Sequence, residues 1–268
     1  MPELRPGEPE SFCGSCGQAL RLGAQFCSAC GYSHLTEPAS PSGTETRLPV
    51  TQVNGLANAH LNALMQVGEL FGLLLCSSLV LGLISRSTSS PWADVVFNGI
   101  DALVAGVFLM MTRRDVSPLL RAPAISLRQA SGLAGSALVF MLAMAAYFQL
   151  IEKAGVPFYR ATASYLEHGW PLWSMFLMIS VLPAVVEEIA FRGVIQCSLE
   201  HVLGAREAWL IQAALFSVLH LLPIIFPSHF AMGLFFGYLR LRSKSLYPGM
   251  LVHASWNALS LCEELYWT

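Results

Sequence analysis

From residue 61 onward, apolar stretches of helix length alternate with short polar breaks, at roughly 63–85, 94–112, 130–151, 172–191, 207–223, 228–241 and 247–265. About 20 apolar residues suffice to cross the hydrocarbon of a bilayer. Inside it the backbone finds no water, so every N–H and C=O must be satisfied within a helix or a closed barrel. Continuous runs of this length select the helix. The expected fold is all-α, a polytopic transmembrane helical bundle of about seven helices over 61–268. The sixth stretch is short, and the fifth and sixth read as a tight hairpin around Pro223 and Pro227. Composition agrees: 54% of residues are hydrophobic and 12% charged, against about 25% charged in ordinary soluble domains. The lipid bilayer is therefore an expected partner. The net charge of −2, with no basic stripe, argues against nucleic acid.

The basic residues orient the spans. With the N-terminus inside, inner loops and helix ends carry Arg113, Arg114, Arg121, Arg128, Arg192, Arg206, Arg240, Arg242 and Lys244; outer ones carry Arg86, Lys153 and Arg160. Nine against three satisfies the positive-inside rule. The expected location is an integral, multi-pass protein of the cytoplasmic membrane with its N-terminal segment in the cytoplasm. The first 50 residues are polar and Pro-rich, without the apolar core of a secretory signal.

Four of the seven cysteines fall in FCGSCGQALRLGAQFCSACG, as Cys13-x-x-Cys16 and Cys27-x-x-Cys30. A C-x-x-C turn brings two thiolates to one ion, and the following glycines permit the tight backbone it needs. Two such turns close a tetrahedral four-cysteine site, which is structural because no coordination position stays open. Two disulfides or a redox dithiol are the alternatives; a reducing cytosol favours zinc. Residues 11–32 look like a short zinc ribbon of the kind found at the N-termini of many bacterial membrane proteins. About 20 residues bury little core, so this module is expected to depend on its metal. Residues 33–60, rich in Ser, Thr, Pro and Gly, read as a flexible linker. Cys76, Cys197 and Cys262 read as small packing residues.

Against this apolar background, Glu187 and Glu188 stand at the end of LWSMFLMISVLPAVVEEIAFRG. A carboxylate at bilayer depth costs roughly 2.5–3.5 kcal/mol on insertion scales, and two adjacent ones repel each other. Glu188 and Arg192 are i,i+4 neighbours and can pair on one helix face. Glu187 points about 100° away and is free for other work. An interfacial ion pair at a helix end is the plainer reading of this segment alone, and Arg192 places the doublet near the cytoplasmic boundary. Two other segments carry polar partners: Phe216-x-x-x-His220, and His253-x-x-x-Asn257. The second spacing stacks imidazole and carboxamide on one face. His220 alone reads as an ordinary packing histidine, and His229, beside Pro227 and Ser228, as a residue at a helix entrance. Together, however, Glu187, His220, His253 and Asn257 can satisfy one another in hydrocarbon.

EExxxR, FxxxH and HxxxN, in this order on successive apolar segments, resemble the CAAX-protease and bacteriocin-processing (CPBP, or Abi) intramembrane endopeptidases over residues 130–265. The resemblance implies that Glu187 activates the attacking water, with Glu188 and Arg192 beside it. It further implies that His220 lies near that water, and that His253 and Asn257 bind the scissile carbonyl and its oxyanion. The implied activity is hydrolysis of membrane-tethered peptides or proteins. Amide hydrolysis needs a base, oxyanion donors and an acid for the leaving amine, and these side chains supply that set. A metal held by His220, His253 and a glutamate would use the same atoms; the metal-free glutamate route is preferred, and no H-E-x-x-H is present. Two other readings compete: a transporter or proton relay, which also places Glu and His within membranes, and an inactive membrane adaptor presenting the ribbon.

Overall fold

The structure, a computed structural model, describes residues 50–84, 90–156 and 160–266, together with 11–12 and 19–20. The chain divides into two compact units, Met1–Val50 and Thr51–Thr268. In the first, β1 (Ser11–Phe12) pairs antiparallel with β2 (Ala19–Leu20), Ser11 opposite Leu20 and Phe12 opposite Ala19. In the sequence these strands bracket the first C-x-x-C. Cys13, Cys16, Cys27 and Cys30, and residues 33–49 of the expected linker, lie outside the described residues.

The described residues of the second unit form helices joined by turns. Each of the seven apolar segments folds as one: α1 (Val50–Ile84), α2 (Pro91–Met111), α4 (Leu127–Lys153), α6 (Leu172–Leu203), α7 (Ala205–Leu219), α8 (Phe226–Ser243) and α9 (Tyr247–Tyr266). Short helices α3 (Arg113–Val116) and α5 (Ala163–Glu167) sit in the breaks. Among the described residues, five helices are long and apolar enough to cross a bilayer: α1, α2, α4, α6, and α8 with the turn before it. The protein is thus a multi-pass helical membrane protein. α7 is only 15 residues long, and α9 carries His253, Asn257, Glu263 and Glu264, so these two of the seven fall outside that set.

Helix ends follow local chemistry. Ser90 caps α2 ahead of Pro91, and Ser126 with Gln129 forms a capping box on α4. Gly204, at φ +93°, turns the chain between α6 and α7, a conformation costly for any residue with a Cβ. The linker read over 33–60 gives way to helix at Val50. Val50, Val53, Leu56 and Ala57 recur at helical spacing, so a helix formed in the apolar span extends back through them, gaining one bond per residue fixed.

Packing centres on α6. Val67, Leu70 and Leu74 of α1, Ala105 and Phe108 of α2, and Met144 of α4 are buried in one core with Phe191 and Val194 of α6, Phe216 of α7 and Phe236 of α8. On the outside, Leu103, Leu138, Val139, Leu142, Leu150 and Leu251 are exposed, as a lipid-facing surface requires. The hairpin read around Pro223 and Pro227 is the α7–α8 pair. Its closeness depends on Gly233 and Gly237: a Cβ at Gly233 would lie 2.7 Å from the Cα of Ala213, and one at Gly237 would lie 2.6 Å from the Trp209 ring. This is a small-xxx-small contact, where backbones approach because side chains are missing. Gly233→Leu is expected to lower stability by about 1–3 kcal/mol, the usual scale of overpacking, read as a lower thermal midpoint in detergent.

Candidate functional site

Glu187, Glu188 and Arg192 are carried by α6, which is not a uniform α-helix. It widens to π-helical turns over Phe176–Val181 and Glu188–Ile195. Pro183 accounts for the first, because it lacks an N–H and its ring crowds the carbonyl four residues back. The second holds Glu188 and Arg192; π-turns recur at functional sites.

Glu188 and Arg192 are both wholly buried, with Arg192 Nη1 donating to Glu188 Oε1 at 2.8 Å. His253 Nδ1 lies 3.2 Å from the same oxygen. The carboxylate can only accept there, so Nδ1 carries the proton. Three ring centroids surround Arg192 Cζ, Phe216 at 4.3 Å, Phe236 at 5.1 Å and Phe191 at 6.0 Å. Arg192 Nε and Nη2 have no hydrogen-bond partner among the described residues, and the ring faces offset part of that cost by cation–π attraction. Phe216, the first residue of FxxxH, therefore acts on the arginine of EExxxR. Glu188 also presses on α9: a Cβ at Gly249 would lie 2.7 Å from Oε2.

Glu187 faces another way, as its position one residue before Glu188 requires. Its side chain is 23% exposed, and Oε2 lies 3.7 Å from His253 Nε2. That is too long for a direct hydrogen bond. His253 thus stands between the glutamates, its Nδ1 on Glu188 and its Nε2 toward Glu187.

His220 ends α7, with Nδ1 2.9 Å from the Phe216 carbonyl. Leu221, next in the chain, takes a left-handed conformation at φ +56°, costing roughly 1–2 kcal/mol. The reversal folds α8 back so that the His229 ring lies 3.9 Å from that of His220, centroid to centroid. His229 Nδ1 is 3.0 Å from the Ile225 carbonyl. Facing carbonyls, both Nδ1 atoms are donors, which leaves both Nε2 atoms with lone pairs. Glu187, His220, His229, His253 and Asn257 all line one cavity of about 450 Å³.

All six residues singled out in the sequence thus converge. Glu188, Arg192 and His253 interact directly and Glu187 lies 3.7 Å from His253, while His220 and Asn257 share the cavity without hydrogen-bonding the glutamates. His229 and Gly249 join them unforeseen. His229, read as a residue at a helix entrance, is brought opposite His220 by the hairpin around Pro223 and Pro227. Gly249 carried no signal. Among the described residues, no group of three or more His, Cys, Asp or Glu side chains is gathered as a metal ion would need.

Fold and site together define a multi-pass membrane protein with buried carboxylate–imidazole chemistry. Residues 169–259 match the family model described as Type II CAAX prenyl endopeptidase Rce1-like, and residues 12–33 match a zinc-ribbon domain. The chain carries an Rce1-like CAAX prenyl endopeptidase (CPBP) domain and an N-terminal zinc-ribbon domain. The first match is narrower than the 130–265 resemblance but contains EExxxR, FxxxH and HxxxN in full. No curated protein and no solved structure matches the chain.

Removing one partner of a buried ion pair costs about 3–5 kcal/mol, because the other charge is left unpaired. Arg192→Met is expected to show this loss, and Arg192→Met combined with Glu188→Gln to recover much of it, measured by thermal unfolding in detergent.

Proposed function

We propose that this protein is an intramembrane endopeptidase in which Glu187 activates water for peptide-bond hydrolysis. The observation that carries the reading is Glu187 on the cavity wall: its Oε2 is buried without a hydrogen-bond partner among the described residues and lies 3.7 Å from His253 Nε2. A water beside these two atoms donates one hydrogen to each and keeps an oxygen lone pair for attack. Glu187 takes the proton as the new C–O bond forms, and returns it to the leaving nitrogen as the C–N bond breaks. Asn257 offers N–H donors to the oxyanion. His253, whose Nδ1 is committed to Glu188, serves the water rather than the carbonyl, while His220 presents its Nε2 lone pair on the same wall. Glu188 and Arg192 hold His253 and α6 in place.

The substrates are peptides or proteins tethered to the membrane. The basic helix ends face the cytoplasm in this reading, following the positive-inside rule. The zinc-ribbon domain holds a structural zinc through Cys13, Cys16, Cys27 and Cys30, a donor set suited to a closed tetrahedral site.

Reconstituted with a library of membrane-tethered peptides, prenylated ones included, the protein is expected to cleave a subset. Glu187→Ala is expected to lose about 10²-fold or more, the scale of a missing acid–base group. Full cleavage by that variant would sink the assignment. Deletion of residues 1–50 is expected to remove the bound zinc while activity survives chelation; a stoichiometric, chelator-sensitive ion in the truncated enzyme would point instead to a catalytic metal.

A further inference from the structure

The helix ends form two groups at opposite ends of the bundle. At one, His201 meets Asp115 at 3.6 Å, Arg240 pairs with Glu200, Ser245 Oγ donates to the Arg121 carbonyl at 2.8 Å, and Leu246 N to the Leu119 carbonyl at 2.9 Å. At the other, Thr162 N and Oγ1 donate to Glu264 at 2.9 and 2.6 Å, and Trp92 packs on Trp170 at 5.1 Å. Helices α2, α6 and α9 each run from one group to the other. Arg113, Arg114, Arg121, Arg206, Arg240, Arg242 and Lys244 belong to the first group, while the connection from α4 to α6 at the second contributes Lys153 and Arg160.

The cavity lies wholly on one side of the glutamates. On α6 its lining residues are Ile179, Pro183 and Glu187; on α9 they run from His253 through Asn257 and Ser260 to Glu264, with Ala161 beside them. From α7 and α8 come Phe216, His220, His229 and Met232, the stretch around the turn remote from the basic end. No lining residue comes from beyond Glu187 or His253 on the basic side. There the bundle is filled: Glu188, Arg192, Phe191 and Phe236 are fully buried, Leu246 nearly so, and Gly193 packs against Val116 and Leu246.

We infer that water and the scissile peptide reach Glu187 from the face opposite the basic helix ends, which the positive-inside rule makes the non-cytoplasmic face. This rests on the proteolytic reading above and narrows its substrate class to membrane-tethered chains whose cleaved segment is exposed on that face. Along α6 Glu187 stands 13 residues before Glu200 at the basic end, and the side chains between them shut that route.

The test is labelling with a membrane-impermeant maleimide, which does not require activity. Ser260→Cys and Ala161→Cys mark the cavity, and Lys244→Cys marks the basic end. Each is compared with the unsubstituted protein, whose own thiols set the background, in intact cells and in inverted membrane vesicles. The expected result is labelling of Lys244→Cys in inverted vesicles only, and of both cavity variants in intact cells only. Labelling of the cavity variants from the same face as Lys244→Cys, or from neither face, would overturn the inference. Loss of proteolysis with the expected labelling would count against the enzymatic reading alone.

Discussion

A carboxylate and a guanidinium taken wholly out of water at Glu188 and Arg192 are the constraint around which the site is built. Moving two such ions from water costs several kcal/mol each, and mutual attraction repays this only with good geometry and further partners. The surroundings read as answers to that demand. His253 gives the carboxylate a second donor, Phe216 and Phe236 cover the guanidinium, and Gly249 lets α9 come close enough for His253 to reach. Three helices besides α6 are thereby tied to one ion pair. Because this pair is fixed, Glu187, next along the helix, is turned to the cavity.

The bundle was legible because hydrocarbon leaves a backbone few choices. Seven apolar stretches became seven helices at nearly the positions their hydropathy marks. The ends were less legible. α6 runs on to Leu203, past the apolar stretch ending at 191, because Gln196, Cys197 and Ser198 are buried against the bundle rather than solvated. Arg240 reaches across to Glu200 and Cys197 there. Such a helix end is held by partners distant in the chain, which local apolarity does not register.

The site divides in the same way. Spacing within one helix revealed Glu188 with Arg192 and His253 with Asn257. Contacts between helices were hidden: Phe216 on Arg192, Gly249 under Glu188, and the His229 ring tilted against that of His220. Each of these depends on how closely two helices approach and in what register. The different orientations of the two glutamates were readable from the 100° step between neighbours, but the bridging position of His253 was not.

The histidines also bear on the competing relay reading. A proton pathway through a membrane needs groups that pass a proton onward and a route open toward both faces in turn. Here each imidazole has its Nδ1 proton committed, in His220 and His229 to helix carbonyls and in His253 to Glu188. The Nε2 of His253 faces Glu187, and the rings of all three border the same closed-ended cavity. On the basic side the next ionisable groups, Glu188 and Arg192, are wholly buried and paired with each other, with Phe191, Phe236 and Leu246 buried around them. Lone pairs and one partly exposed carboxylate gathered around a single dead-ended volume suit the holding of a water and a substrate. They do not suit passage across the bilayer.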